Sequence, residues 1–397
     1  MRAFEPRLYF KSVIADYLEI SERSVTLFWK GRVAFFAILK ALGIKEGDEI
    51  IVPGFSCVVV INPILYLGAT PIYVDIDPET FTIDPNLIEE KITERTRLIL
   101  AQNCFGLAPD LDPIIDIADR NNIVVVEDCA HGFGGYYKGK KNGTIAPLSF
   151  FSTQWNKPFS TGLGGIAISI EERFIEALLK LEASFIEPSL KDKLMLLTQL
   201  FAYNTILNSK TYWFALKTYR TLSKYNIIVG SSQGYELEET EKPPSFEKRF
   251  STIQAIAGLL SLRKRIERIV EHRRMIAQFY KKELSLIGVE PIKEPEYAFH
   301  TYLRYPLFVK DRDRFLKLAE REKIEIGDWF LSPIHPIKEK LDRWKYKIGS
   351  CPIGEKLSKH IVNLPTHLRI DKREAERIVE FVYKNRELVF NSIKEFI

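Results

Sequence analysis

Val124-Val-Val-Glu-Asp128 is a run of β-branched residues closed by two acids, and a second apolar stretch, Ser149-Phe-Phe-Ser-Thr-Gln-Trp-Asn-Lys157, ends in a lysine 29 residues beyond Asp128. With Ile123 in front, the first run gives four successive β-formers, the pattern of a strand covered on both faces. Working outward, Asp112 to Arg120 has helical spacing, Leu98 to Gln102 is again strand, Asn86 to Ile92 reads as helix and Thr70 to Val74 as strand. Further back, Asp48 to Val52 is a short buried strand closed by Pro53-Gly54, with a helix after it, and Val33 to Leu42 is a helix stopped at Gly43. This alternation, from about residue 32 to 170, predicts an α/β fold with a mainly parallel sheet and helices on both faces. Such sheets meet their ligands at the carboxyl ends of the strands, where Asp128 and Lys157 would stand.

The chain has 397 residues, with 57 Lys and Arg against 52 Asp and Glu, a formal charge of +5. Its length predicts more than one folded unit, and its 46% hydrophobic content excludes disorder and collagen-like repetition. The positive surplus is spread without a long block of one sign, so nucleic acid is not an expected partner. Cys57, Cys104, Cys129 and Cys351 are scattered with no CxxC pair, which predicts neither a disulfide scaffold nor a zinc ribbon, and no metal centre. Met1-Arg-Ala-Phe-Glu-Pro-Arg7 lacks the apolar core of a secretory signal. No stretch offers the about 20 uninterrupted apolar residues of a membrane span. A reducing cytoplasm is the expected location.

Residues 186–245 interrupt the alternation. Leu194 to Ser209 carries no formal charge, and Tyr212, Trp213, Phe214 and Tyr219 follow among lysines. This predicts a helical insertion packed on the body or on a partner subunit. A helix lying on a membrane surface over about 190–225 is the competing reading, because apolar and basic residues interleave there. Gly230 to Pro244 reads as an exposed loop, and a long helix runs from Ser251 through Leu262 to Leu284. The short strands and helices beyond predict a smaller C-terminal α+β domain over 265–397, after a large domain over 1–264.

Three local features would serve one ligand, an aromatic aldehyde carrying a phosphate. Asp128 follows a buried strand, Lys157 sits in a turn after another, and Gly31-Arg32-Val33 opens a helix whose free N–H groups and dipole suit a phosphate. Each has a plainer reading alone: Asp128 as a structural cap, Lys157 as a solvated lysine, Gly31 as backbone convenience, and Ser152 bonding its own turn. His131 alone reads as a satisfied core histidine, and Cys129 with His131 lacks the further ligands a metal would need.

Together, in this order, the residues resemble the DegT/DnrJ/EryC1/StrS family of sugar aminotransferases. The resemblance covers roughly 25–180 and 246–380. Glu127-Asp128-Cys129-Ala130-His131 matches the family's Glu-Asp-x-Ala-(Gln/His); Phe151-Ser152 followed by Lys157 matches its Phe-Ser and Schiff-base lysine; Gly162-Leu163-Gly164-Gly165 matches its Gly-x-Gly-Gly. Leu42 to Pro53, Gly68 to Pro71, Val74 to Asp77 and Arg249-x-x-x-Ile-Gln254-Ala also match.

The resemblance implies the type I aminotransferase fold, pyridoxal 5'-phosphate as cofactor, and a homodimer whose active sites lie at the subunit boundary. It implies that Lys157 carries the cofactor and serves as base, that Asp128 pairs with the pyridine nitrogen, and that Ser152 and the amides of Arg32 and Val33 hold the phosphate. Ala130 would lie against the ring, with His131 and Asn103 near its edge, and Arg249 near the partner's cofactor. His300 and His335 match family positions near the substrate. Arg32 stands where the family has Thr, and would add a charged phosphate contact. Cys57 stands where the family stacks an aromatic residue, leaving Cys57, Phe55 and Trp155 as candidates for that contact. Glu247 aligns with a phosphate-binding Asn, and Leu163 with a common Glu.

The expected reaction moves an amino group from an amino acid, glutamate first, to the keto group of a nucleotide-linked sugar. A non-nucleotide ketone such as a keto-cyclitol, or a cofactor-binding regulator without turnover, are the rivals. The family's dehydratase branch has His at the lysine position, and Lys157 speaks against it.

Overall fold

The structure, a computed structural model, describes residues 5–205, 218, 221, 235–262 and 266–397. Seven strands form the central sheet: β1 (Val25–Phe28), β2 (Glu49–Pro53), β3 (Thr70–Val74), β4 (Thr96–Gln102), β5 (Val124–Asp128), β6 (Leu148–Ser152) and β7 (Gly165–Ser169). Their order is β1-β7-β6-β5-β4-β2-β3. The five from β6 to β3 are parallel, and β7 runs against both β6 and β1. The sheet is thus mainly parallel, as its sequence predicts.

Alternate residues of the parallel strands feed two apolar layers. Leu98, Leu100, Val126 and Phe150 pack with α2 (Gly31–Ala41) and α3 (Val58–Leu65) on one face. Ile99, Ala101 and Val125 pack with Leu111, Ile114 and Ile117 of α4 (Leu111–Arg120) on the other. Unbroken apolar strands follow from this double cover. Helix α1 (Pro6–Leu18) adds Phe10, Ile14 and Leu18 to a third cluster, under β1 and β7. A separate core joins Ile276, Tyr280 and Leu284 to Tyr305, Leu307, Phe315, Val362 and Phe381 in the C-terminal part. The two parts meet where Ile334–His335 pairs in parallel with Ser56–Cys57.

Two expectations change, and a third falls partly outside the described residues. Residues 86–92 form no α-helix but two 3₁₀ turns, Pro85–Leu87 and Glu89–Lys91. Of them only Ile88 is fully buried, too little apolar face to hold a helix. The stretch read as one helix from Ser251 to Leu284 contains helices Thr252–Leu262 and Ile266–Leu286, and 263–265 lie outside the described residues. The loop expected over 230–244 includes the helix Tyr235–Glu238, whose Glu236 is buried.

The insertion begins with α5 (Glu172–Ser184) behind it and α6 (Leu190–Thr205) in it, while most of 206–234 lies outside the described residues. Leu196 and Leu200 of α6 pack against Trp155, Leu163 and Trp29. Leu190, Leu194, Leu197 and Phe201 are exposed on the other side. Among the described residues no helix is long and apolar enough to cross a membrane. All four cysteines are buried and free.

Candidate active site

Asp128 ends β5 and is 3% exposed, beside Gln102 at the end of β4. Its Oδ1 accepts the Ala130 amide at 2.9 Å, a bond made possible by the tight turn through Asp128-Cys-Ala-His131. The preceding Glu127 points the other way, as strand alternation requires, and accepts the amides of Gly143, Ile145 and Ala146 at 2.9 Å each. That carboxylate clamps the β6 approach loop to the strand carrying Asp128. Asn103 does the same from β4's end: its Nδ2 donates to the Asp128 carbonyl at 3.2 Å and its Oδ1 accepts from Asn142 at 2.9 Å. Asn103, expected at a ring edge, therefore has its amide committed to bracing the backbone.

Lys157 follows β6 in a turn that returns along β7. Thr153 and Thr161 pin the turn with a hydroxyl pair at 2.6 Å, and the Lys157 amide donates to the Gln154 carbonyl at 3.1 Å. Asn156 (φ 67°) and Gly162 (φ 81°) supply the left-handed positions that reverse the chain. The turn brings the ammonium into the field of Asp128. Burial raises the Asp128 carboxyl, partly offset by the Ala130 amide and Lys157. Burial lowers the Lys157 ammonium, Asp128 opposing and Arg304 reinforcing the drop.

At the next strand ends, the first turn of α2 meets Ser152. A Cβ on Gly31 would stand 2.9 Å from Ser152 Cβ and 3.3 Å from its Oγ, so only glycine permits this approach. Lys30, the N-cap, makes no side-chain bond to the turn, and its carbonyl accepts the Val33 amide at 3.0 Å. The Arg32 guanidinium is buried in an ion pair with Glu236.

The opposite wall comes from the C-terminal part. His335, paired in register with Cys57, stacks on Trp329 at 4.2 Å and accepts the Leu331 amide on Nδ1 at 3.1 Å. His131 stands 5.9 Å from Trp329, edge to face, with its Nδ1 buried and unpartnered. Burial keeps both imidazoles neutral, helped by Lys157 and Arg304 at His131 and by Arg304 and Arg312 at His335. Lys157 Nζ lies 5.8 Å from the Trp329 ring centre and Arg304 Cζ 5.4 Å from it. Cys57 feels Arg32, Lys157 and Asp128, and burial pushes its thiol up.

The structure thus gathers Asp128, Ala130, His131, Lys157, Cys57 and His335, with Gly31, Arg32, Val33 and Ser152 alongside. Other candidates stand elsewhere. Phe55 is fully buried against Phe330 (4.5 Å) and Phe105 (6.4 Å). Trp155 packs on Tyr203 at 5.0 Å, under α6. His300 lies flat on Tyr302 at 3.9 Å and accepts its amide at 2.8 Å, in the company of Glu294 and Arg274 rather than Lys157. Arg249 pairs with Glu187 at 3.6 Å, and Glu247 with Lys40 at 3.2 Å and with Lys242. Sequence reading missed Trp329, Arg304 and Glu236, which carry no local motif and reach the site only through tertiary packing.

The profile of the DegT/DnrJ/EryC1/StrS aminotransferase family matches residues 6–210 and 216–383. The GDP-perosamine synthase of Escherichia coli O157:H7 is 29% identical over 355 residues, 89% of this chain and 83% of that protein. The L-glutamine:scyllo-inosose aminotransferase of Streptomyces griseus is 38% identical over 160 residues, 40% of this chain and 37% of its own. In fold, the chain is similar to NtdA from Bacillus subtilis with bound cofactor PMP, with a TM-score of 0.72 and 24% identity over 96% of this chain and 77% of that one. With the family profile spanning nearly its whole length, the chain belongs to the DegT/DnrJ/EryC1/StrS aminotransferase family, and it is an aminotransferase.

Proposed function

We propose that the protein transfers an amino group from an amino acid, glutamate as first donor, to the keto group of a nucleotide-linked sugar, using pyridoxal 5'-phosphate. The observation that carries this reading is buried Asp128 in the field of half-buried Lys157, set beside the Gly31–Ser152 cradle. The residues fit the cofactor: the cradle admits no Cβ at Gly31, the α2 turn is uncapped, and a buried carboxylate lies at the neighbouring strand end.

When bound, the cofactor supplies an electron-withdrawing ring that stabilises negative charge at carbon. Ser152 Oγ and the amides of Arg32 and Val33 hold its phosphate. Asp128 keeps the proton on the ring nitrogen, a task suited to a carboxylate already held in a buried, hydrogen-bonded position. Lys157, whose ammonium is lowered by burial, gives up its proton near neutrality and acts as the base at the substrate α-carbon. His131 and His335, both neutral, line the wall where the substrate enters.

This reading includes a homodimer with a shared active site, Arg249 facing the partner's cofactor, a large domain over 1–264 and a small one over 265–397. Its setting is amino-sugar and polysaccharide biosynthesis in the cytoplasm. The perosamine synthase match over most of both chains supports a nucleotide-linked acceptor. The match to a scyllo-inosose aminotransferase supports a keto-cyclitol as the second reading, over a shorter stretch. The visible spectrum of the purified protein tests the proposal. A yellow band that bleaches on adding L-glutamate is expected; no band after adding the cofactor would refute it.

A further inference from the structure

Trp329 is tied into the wall of the site from several sides. Its amide donates to Asn363 Oδ1 at 2.9 Å. The backbones of Gly327 and Asn363 exchange hydrogen bonds at 2.8 and 2.9 Å, so the strand Ile361–Leu364 carries the turn that bears the indole. His335, in register with Cys57 where the two parts of the chain meet, stacks on the ring at 4.2 Å. His131 meets it edge to face at 5.9 Å. The indole plane is therefore fixed by both parts of the chain.

Lys157 Nζ stands over this ring, 5.8 Å from its centre, inside the about 6 Å reach of a cation–π contact. Both residues are half-buried, so the pair borders an opening rather than a sealed core. A carbon bonded to Nζ and turned toward the ring would lie about 4.4 Å from its centre, close to ordinary contact distance. Ring and amine thus leave room for one layer of atoms, the layer in which a group reacting at that nitrogen has to lie. Around the amine, Asp128 and Cys57 favour its charged form, and Arg304, itself over the indole at 5.4 Å, opposes it. His131, which feels Lys157 in turn, is neutral. The negative face of the indole acts in the same direction as Asp128.

We propose that Trp329 is a positioning residue for the reaction at Lys157: its indole face takes the side-chain ammonium and holds the nitrogen over the opening where the substrate arrives. The inference rests on the aminotransferase reading above. Trp329 then has two effects on one atom. It keeps the proton on Lys157 longer than burial and Arg304 would allow, and it fixes the direction from which the nitrogen meets a reacting carbon.

The test replaces Trp329 alone by mono-, di- and trifluorinated tryptophan, which keep the ring's shape and progressively cancel its negative face. Timed labelling of Lys157 with acetic anhydride, read by peptide mass across about pH 6 to 10, follows the amine in the cofactor-free protein. The midpoint, about 8 in the native protein, is expected to fall with each fluorine, by about half a unit to one unit over the series. Trp329→Phe, whose face is weaker, is expected to fall within the same range. A midpoint that stays flat across the fluorinated series, or that rises, would overturn the proposal, because a ring that only fills space is indifferent to fluorine. The visible band and its bleaching by L-glutamate are read separately. Native protein that forms no band, together with a fluorine-dependent Lys157 midpoint, refutes the transfer reaction and leaves the positioning role standing. A band that bleaches, together with a flat midpoint, does the reverse.

Discussion

Arg32 and Glu236 form a buried ion pair that joins the first turn of α2 to the short helix Tyr235–Glu238. The Glu236 carbonyl also accepts from Asn62 Nδ2 at 2.9 Å, which fixes that helix on α3. Glu236→Ala removes the carboxylate from the buried Arg32–Glu236 pair and is expected to destabilise the cofactor-free protein by about 3–5 kcal/mol at most. Bound phosphate supplies a counter-charge nearby, so the loss is expected to shrink once cofactor is present. Urea unfolding with and without pyridoxal phosphate checks this; equal losses would separate Arg32 from the phosphate.

Gly31→Ala forces a methyl group against Ser152 without any demand on φ, since Gly31 is helical. The cradle opens and cofactor affinity is expected to fall roughly tenfold or more, about 1.4 kcal/mol or above. Absorbance titration of the apoprotein would measure it, and an unchanged Kd would remove Gly31 from the phosphate site.

Lys157→Ala is expected to abolish the visible band and to lower transamination by about 10²–10⁴-fold or more, the usual reach of a lost base with a lost covalent anchor beyond it. Circular dichroism should stay that of the native protein, because Thr153 and Thr161 hold the turn without the lysine side chain. Turnover near the wild-type rate would end the mechanism proposed above.

The same lysine sets a pH dependence in the cofactor-free protein. Burial lowers its ammonium to about 8, with Asp128 opposing, against about 10.4 in an unfolded chain. Between those values the unfolded state binds the extra proton, so this group's contribution makes stability rise with pH from about 8 to 10. Asp128 has the opposite effect at lower pH. Its carboxyl is raised, the folded state keeps the proton longer, and stability falls through that window. Lys157→Met should flatten the alkaline rise, worth roughly 2–4 °C in Tm. Differential scanning at pH 8 and pH 10 compares the two proteins; an identical rise in both would show that other groups carry it.

The sheet was legible because each strand declares itself locally. Ile123 to Val126 and Leu98 to Gln102 are apolar at every step, and the polar residues that follow them, Asp128 and Asn103, fall at the carboxyl edge by arithmetic alone. Gly31, Ser152 and Lys157 were legible through spacing within single turns. Where the rings of Phe55, Trp155 and His300 pack was not legible, because a residue's neighbour in sequence says little about the side its ring takes. Trp155 is two residues from Lys157, and its ring partner is Tyr203 of α6, 48 residues further on. Arg304 and Trp329 lay beyond reach for the converse reason: they touch the site across more than 140 residues of chain. Ser152, by contrast, is brought to Gly31 by the strand order itself, since β6, β7 and β1 are neighbours.

Gln254 lies fully buried, its Nε2 donating to the carbonyls of Trp29 at 3.0 Å and of Leu163 at 2.7 Å, the two segments that lead into the phosphate turn and out of the lysine turn. One amide late in the chain therefore ties together the two loops on which the cofactor would rest. While the protein is being made, residues 25 to 169 can leave the ribosome and pair their strands, but the Gln254 bonds to both loops wait until that residue follows. The nascent chain would thus carry its sheet without the Gln254 cross-tie between the two loops through the synthesis of some eighty-five further residues.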